Sequence, residues 1–147
     1  MKESTPINTL RTLAQKDVDE AAIRVGEVRR AWQQADDQLN MLLNYQNEYR
    51  HQLNTTMSTG IASHRWTNYH QFIQTLEKAI DQHRQQLSQW NRRLEQALQH
   101  WRDKQQRLNA FETLHTRAAT AALLQESRLD QKLMDEYAQR ATMRKSE

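Results

Sequence analysis

The sequence predicts an all-α protein, an antiparallel two-helix coiled-coil hairpin with an overhanging C-terminal helix. Three observations carry that expectation. Apolar residues recur at alternating spacings of three and four, residues that break helices are almost absent, and the one cluster of turn-formers lies off-centre, so that one helix outruns the other. The 147 residues hold one proline, Pro6, and two glycines, Gly26 and Gly60. Apolar residues make up 37% of the chain, below the roughly 45–50% of an ordinary globular domain, which disfavours a compact multilayered core.

In the first helix, expected over about residues 7–53, the seam runs through Ala14, Val18, Ala21, Val25, Val28, Trp32, Ala35, Leu39, Leu42, Gln46, Tyr49 and Leu53. A tip loop is expected over about 54–63. Asn54-Thr55-Thr56 and Ser58-Thr59-Gly60 favour turns, and Ser63 suits a helix cap, its side chain accepting a free backbone N–H. The second helix, expected over about 64–140, repeats the alternation from Trp66 through Tyr69, Ile73, Leu76, Ile80, Leu87, Trp90, Leu94, Trp101, Leu108 and Phe111 to Ala122. Only His83, Lys104 and His115 interrupt its apolar character. The chain reads as a single coiled-coil domain over 1–147.

Helices that fold back on each other bring together residues whose numbers add to a constant, here about 115 or about 122. At 115 small residues meet large ones: Ala35 with Ile80, Ala21 with Leu94, Ala14 with Trp101. At 122 Trp32 meets Trp90 and Lys104 faces Val18. Side-chain size favours 115. That register sets Asp36 near Arg84 and Arg24 near Arg93, and it pairs the first helix as far as about residue 108. Some thirty residues then project beyond the pair, about 45 Å of helix at 1.5 Å per residue. An isolated helix of that length is marginal in water. Leu123, Leu124, Leu129, Leu133, Met134 and Tyr137 also leave it with uncovered apolar surface, so a partner is expected there.

Nothing in the sequence points to catalysis. A two-helix hairpin offers no concave pocket of useful size for catalysis, the six histidines include no i,i+4 pair for a metal, and there is no phosphate-binding glycine loop. No enzyme, cofactor or metal is expected. The absence of cysteine removes thiolate chemistry and is compatible with a reducing compartment. No apolar run matches a membrane span or a secretory signal, so a cytoplasmic protein is expected. The charge balance, 21 basic against 18 acidic residues with a pI near 9.4, is interspersed rather than clustered. That disfavours nucleic acid as a partner. Trp32, Trp90 and Trp101 lie on the seam and read as packing rather than base-stacking platforms.

One irregularity lies near the tip. Tyr45 and Phe72 fall at g positions, where coiled coils ordinarily carry charge, and the register of 115 places them side by side. Extending that flank gives a stripe of Gln38, Leu42, Tyr45 and Tyr49 on the first helix and Phe72, Leu76, Ala79 and His83 on the second. Two readings stand: a protein-binding patch, or rings lying along the groove as extra packing.

The segments "LNYQNEYR" (43–50), "QFIQTLEKAI" (71–80) and "DQKLMDEYAQRATMRK" (130–145) carry a resemblance. In length and order of features the whole chain resembles the flagellar type III export protein family FliJ. The resemblance implies a cytoplasmic protein, peripherally associated with the inner-membrane flagellar export apparatus. Such a protein is a stalk-like two-helix rod that binds the export ATPase FliI and the export gate FlhA and escorts export chaperones. It implies gate binding through the positions Gln38, Leu42, Tyr45, Tyr49, Phe72, Leu76, Ala79 and His83, which coincide with the stripe read from the heptads. By analogy with rotary stalks, the overhang would meet the ATPase ring through Leu123, Leu129, Leu133, Met134, Tyr137 and Arg140, with Arg144 and Lys145 adding charge. The competing expectations are a purely structural self-associating coiled coil and a basic helical nucleic-acid binder. Steep loss of affinity with salt would mark the latter.

Overall fold

The computed structural model describes residues 6–60 and 63–146, all helical except Gly60. Two helices make up the fold, α1 (Pro6–Thr59) and α2 (Ser63–Ser146), running antiparallel as an all-α hairpin. Pro6 opens α1, where its missing N–H costs nothing and its fixed φ suits the first turn.

The first helix runs some six residues beyond its expected end. Thr55 and Thr56, expected to turn the chain, donate their hydroxyls to the carbonyls of His51 and Gln52 one turn back, at 3.0 and 2.7 Å. Such bonds let threonine sit within a helix. Termination falls to Gly60, whose φ of 91° lies in the left-handed region and whose N–H reaches the Met57 carbonyl at 3.3 Å. A left-handed glycine after the last helical residue is the common way for a helix to stop. Residues 61–62 and the Ser63 side chain, including its expected capping role, lie outside the described residues. The far end of α2 likewise exceeds its expected limit near 140, because nothing between Arg140 and Ser146 breaks a helix.

The chain divides into two units. One comprises residues 19–102, and its core is built from Ala21, Val28, Ala35, Leu39, Leu76 and Ile80, each less than a tenth exposed. Leu39, Leu76 and Ile80 form a cluster against which Leu42, Leu43 and Leu87 pack. The other unit comprises residues 1–18 and 103–147. Ala14, Val18 and Leu108 are its buried residues, and there Arg11 donates a guanidinium N–H to His115 Nδ1 at 3.1 Å.

The register differs from the expected one by about one heptad. In the 19–102 unit Trp32 donates its indole N–H to Asn91 Oδ1, and Tyr49 stacks on Phe72. In the other unit Arg11 meets His115. The two pairs in the 19–102 unit add to 123 and 121 and the pair in the other unit to 126, all nearer 122 than 115. Pairing two tryptophans counted against 122 in the sequence, yet Trp32 and Trp90 stay half-buried. Trp32 takes the Asn91 bond, and the Arg93 guanidinium covers Trp90 at 4.6 Å from the ring centroid. Lys104 is also half-buried, as an aliphatic stem with its charge reaching water allows. The expected flank pairs do not form: Arg24 lies 3.6 Å from Glu27, and Asp36 accepts from Asn40 at 3.5 Å.

The one-heptad shift also moves the end of pairing from about residue 108 to His115. Every described side chain from Thr116 to Lys145 is exposed.

Candidate functional site

Two exposed surfaces carry the residues singled out by sequence. The first belongs to the 19–102 unit and lies toward the end of α1. Antiparallel pairing brings position 49 of α1 level with positions 69 and 72 of α2, which share a face because they are three apart. Tyr49 stacks on Phe72 with ring centroids 4.2 Å apart and planes 22° from parallel. It also meets the edge of Tyr69 at 6.0 Å and 63°. Both are favourable aromatic geometries.

The expected neighbour of Phe72 was Tyr45; the stack is made by Tyr49 instead, as the shifted register requires. Tyr45 is 52% exposed and Phe72 39%. Gln38 is exposed, whereas Leu42, Tyr49, Ala79 and His83 are half-buried. Leu76 lies in the core cluster with Leu39 and Ile80. The stripe is therefore graded, with Gln38, Tyr45 and Phe72 outermost and Leu76 beneath. His83 has its Nδ1 shielded from water with no hydrogen-bond partner among the described residues, which marks a polar position tolerated on the seam.

Sequence reasoning missed the residues that continue this surface toward the turn. Tyr49, Arg65, Asn68, Tyr69 and Phe72 line an open groove of about 420 Å³. The signal lies in positions 65, 68, 69 and 72, which follow one another at helical spacing, Tyr69 being a seam residue that also edges this surface.

The second surface is the exposed stretch of α2 in the other unit. Leu123, Leu129, Leu133, Met134 and Tyr137 are each more than half exposed, and Arg140 is exposed. At 100° per residue, Leu129, Leu133, Tyr137 and Arg140 share one face, while Leu123 and Met134 lie roughly 100° round the axis. Apolar surface thus occupies more than one side of this helix, where a single packed neighbour would need only one stripe.

Among the described residues no group of three or more His, Asp or Glu side chains is placed to hold a metal ion, and no helix is long and apolar enough to cross a membrane.

A family profile described as "Flagellar FliJ protein" matches residues 2–147. The chain is 61% identical over 147 residues to the flagellar FliJ protein of Escherichia coli (strain K12), and 60% identical over the same length to that of Salmonella typhi, with 100% of each chain covered in both cases. A more distant relative, the flagellar FliJ protein of Buchnera aphidicola subsp. Schizaphis graminum (strain Sg), is 25% identical over 130 residues, covering 88% of this chain and 86% of that one. Agreement from end to end, in a chain built as a helical hairpin, establishes that this protein belongs to the flagellar FliJ family.

Proposed function

We propose that the chain is a non-enzymatic component of the flagellar type III protein export apparatus. It binds the export ATPase FliI through the exposed stretch of α2 and the export gate FlhA through the surface around Tyr45, Tyr49 and Phe72. It also escorts export chaperones, working in the cytoplasm in peripheral association with the inner-membrane apparatus. The observation that carries this reading is the run of helix exposed at every described position from Thr116 to Lys145 in a chain that the flagellar family matches over residues 2–147. A helix whose apolar groups spread round more than a single narrow stripe gains more from a partner that covers a wide arc of it, which suits the wall of a ring better than a second single helix.

A protein acting this way works by differential binding. If the helix favours one arrangement of the ring, or the aromatic surface favours one state of the gate, each shifts its partner's equilibrium by the difference in affinity. Hydrolysis and transport stay with the partners.

The test is a pull-down of purified FliI and of the cytoplasmic part of FlhA by the full chain, read beside its mass in solution. Capture of both partners by a monomeric chain is expected. A chain that captures neither and forms a stable dimer or bundle through α2 would replace this reading with a self-associating structural coiled coil.

A further inference from the structure

We infer that the groove lined by Tyr49, Arg65, Asn68, Tyr69 and Phe72 receives a partner protein segment that inserts an apolar side chain next to a carboxylate. This deepens the gate-binding reading above and rests on it for the partner's identity, but not for its chemistry.

The groove's apolar wall is fixed before any partner arrives. Tyr49 is held between the face of Phe72 at 4.2 Å and the edge of Tyr69 at 6.0 Å, so an incoming side chain meets rings already ordered, with little side-chain entropy left to lose. Phe72 keeps 39% of its surface exposed, so the rings cover one another only in part. The open groove of about 420 Å³ has room for one large apolar side chain and its neighbours.

The polar rim gives the sign. Arg65 and Asn68 are exposed on the same groove, and Arg65 makes no ion pair among the described residues. Between residues 45 and 75 the only carboxylate is Glu48, against Arg50, Arg65 and the histidines His51, His64 and His70. A guanidinium beside an amide offers several N–H donors in a plane, a geometry suited to a carboxylate. An anionic side chain near the anchor is the complement this rim lacks.

Nucleic acid fits less well. The Tyr49–Phe72 stack leaves only part of each ring for a base to cover, and one exposed arginine on the groove supplies little phosphate neutralisation.

The experiment uses the full chain against an array of peptides with a Leu or Phe anchor flanked by Glu, Gln or Lys. Capture of the Glu series at least fivefold above the Gln series is expected. That preference should be abolished by Arg65→Glu and reduced but kept by Arg65→Lys, which holds the charge and loses the planar donors, with circular dichroism unchanged in both variants. Equal capture of Glu and Gln peptides, capture of none, or displacement of bound peptide by a single-stranded oligonucleotide at equal concentration would overturn the inference. The partner's identity is read separately, by titrating the chain with the FlhA cytoplasmic region. Wild type that does not bind it overturns the gate reading alone. Wild type that binds while Arg65→Glu binds within twofold of it overturns the groove inference alone.

Discussion

Tyr49 of α1 lies face to face with Phe72 of α2, their ring centroids 4.2 Å apart. This stack joins the two helices by side chains that still reach solvent, so the same rings serve cohesion and, on the proposed reading, recognition. Tyr45, one turn earlier on α1, is more exposed still and makes no ring contact among the described residues. The two functions can be separated by substitution.

Tyr45→Ala combined with Phe72→Ala should remove the outermost apolar surface and one aromatic pair. The lost stack is worth about 0.5–1.5 kcal/mol, so the melting temperature should fall by a few degrees while helicity is retained. Affinity for the gate protein should drop at least tenfold. Thermal melts followed by circular dichroism, beside calorimetric titration, check both halves. Unfolding of the double variant would show that the rings are core.

Leu76→Ala should behave differently although it belongs to the same stripe. Leu76 is 8% exposed and packs with Leu39 and Ile80, so truncating it leaves a cavity in a narrow core at a cost of about 2–4 kcal/mol. Urea unfolding will register that loss directly. Any weakening of gate binding by this variant at 37 °C should largely recover at low temperature, where the folded population is restored.

These two outcomes mark where the sequence was legible. The heptad alternation identified the helices, most of the seam and the exposed end of α2, because burial in a two-helix structure follows spacing; the expected seam overran at both ends of α2, where Trp66 and Ala122 are exposed. It could not select the register. Sums of 115 and 122 differ by one whole heptad and place the same set of residues on the seam, so only pairwise contacts distinguish them. Side-chain size misled because Trp32 and Trp90 need not fill one layer: Asn91 accepts the first indole and Arg93 caps the second. The same shift exchanged Tyr45 for Tyr49 as the neighbour of Phe72. The end of α1 lies beyond its expected limit because Thr55 and Thr56, which favour turns, each return a hydroxyl to a carbonyl one turn back.

Truncation after Ala118 should leave the paired region intact. Nothing described beyond Thr116 is buried, so the apolar core loses no contact, and urea unfolding should shift by less than about 0.5 kcal/mol, as for changes away from packed sites. Association with the ATPase should be abolished in a pull-down. Retained association would move the ATPase contact to the paired part of the hairpin and leave the exposed stretch of α2 without its proposed role.

The two glycines should respond to alanine in opposite directions. Gly26 lies within α1 with ordinary helical geometry, and a Cβ there would meet only the Arg30 Nη2 at 3.9 Å, an ordinary contact. Alanine at 26 loses less backbone entropy on folding and should stabilise the chain by about 0.5–1 kcal/mol. Gly60 has equal space, with nothing within 4 Å of an added Cβ, but its φ of 91° is one that side-chain-bearing residues rarely adopt. Alanine at 60 should therefore destabilise by about 1–2 kcal/mol through the backbone alone. Asparagine, which tolerates the left-handed region better, should recover part of that loss. The two sites lie about 50 Å apart along α1 at 1.5 Å per residue, so their effects should add in the double variant. Equilibrium unfolding of the four proteins measures each term. A neutral Gly60→Ala would mean that the helix ends by some means other than a left-handed glycine.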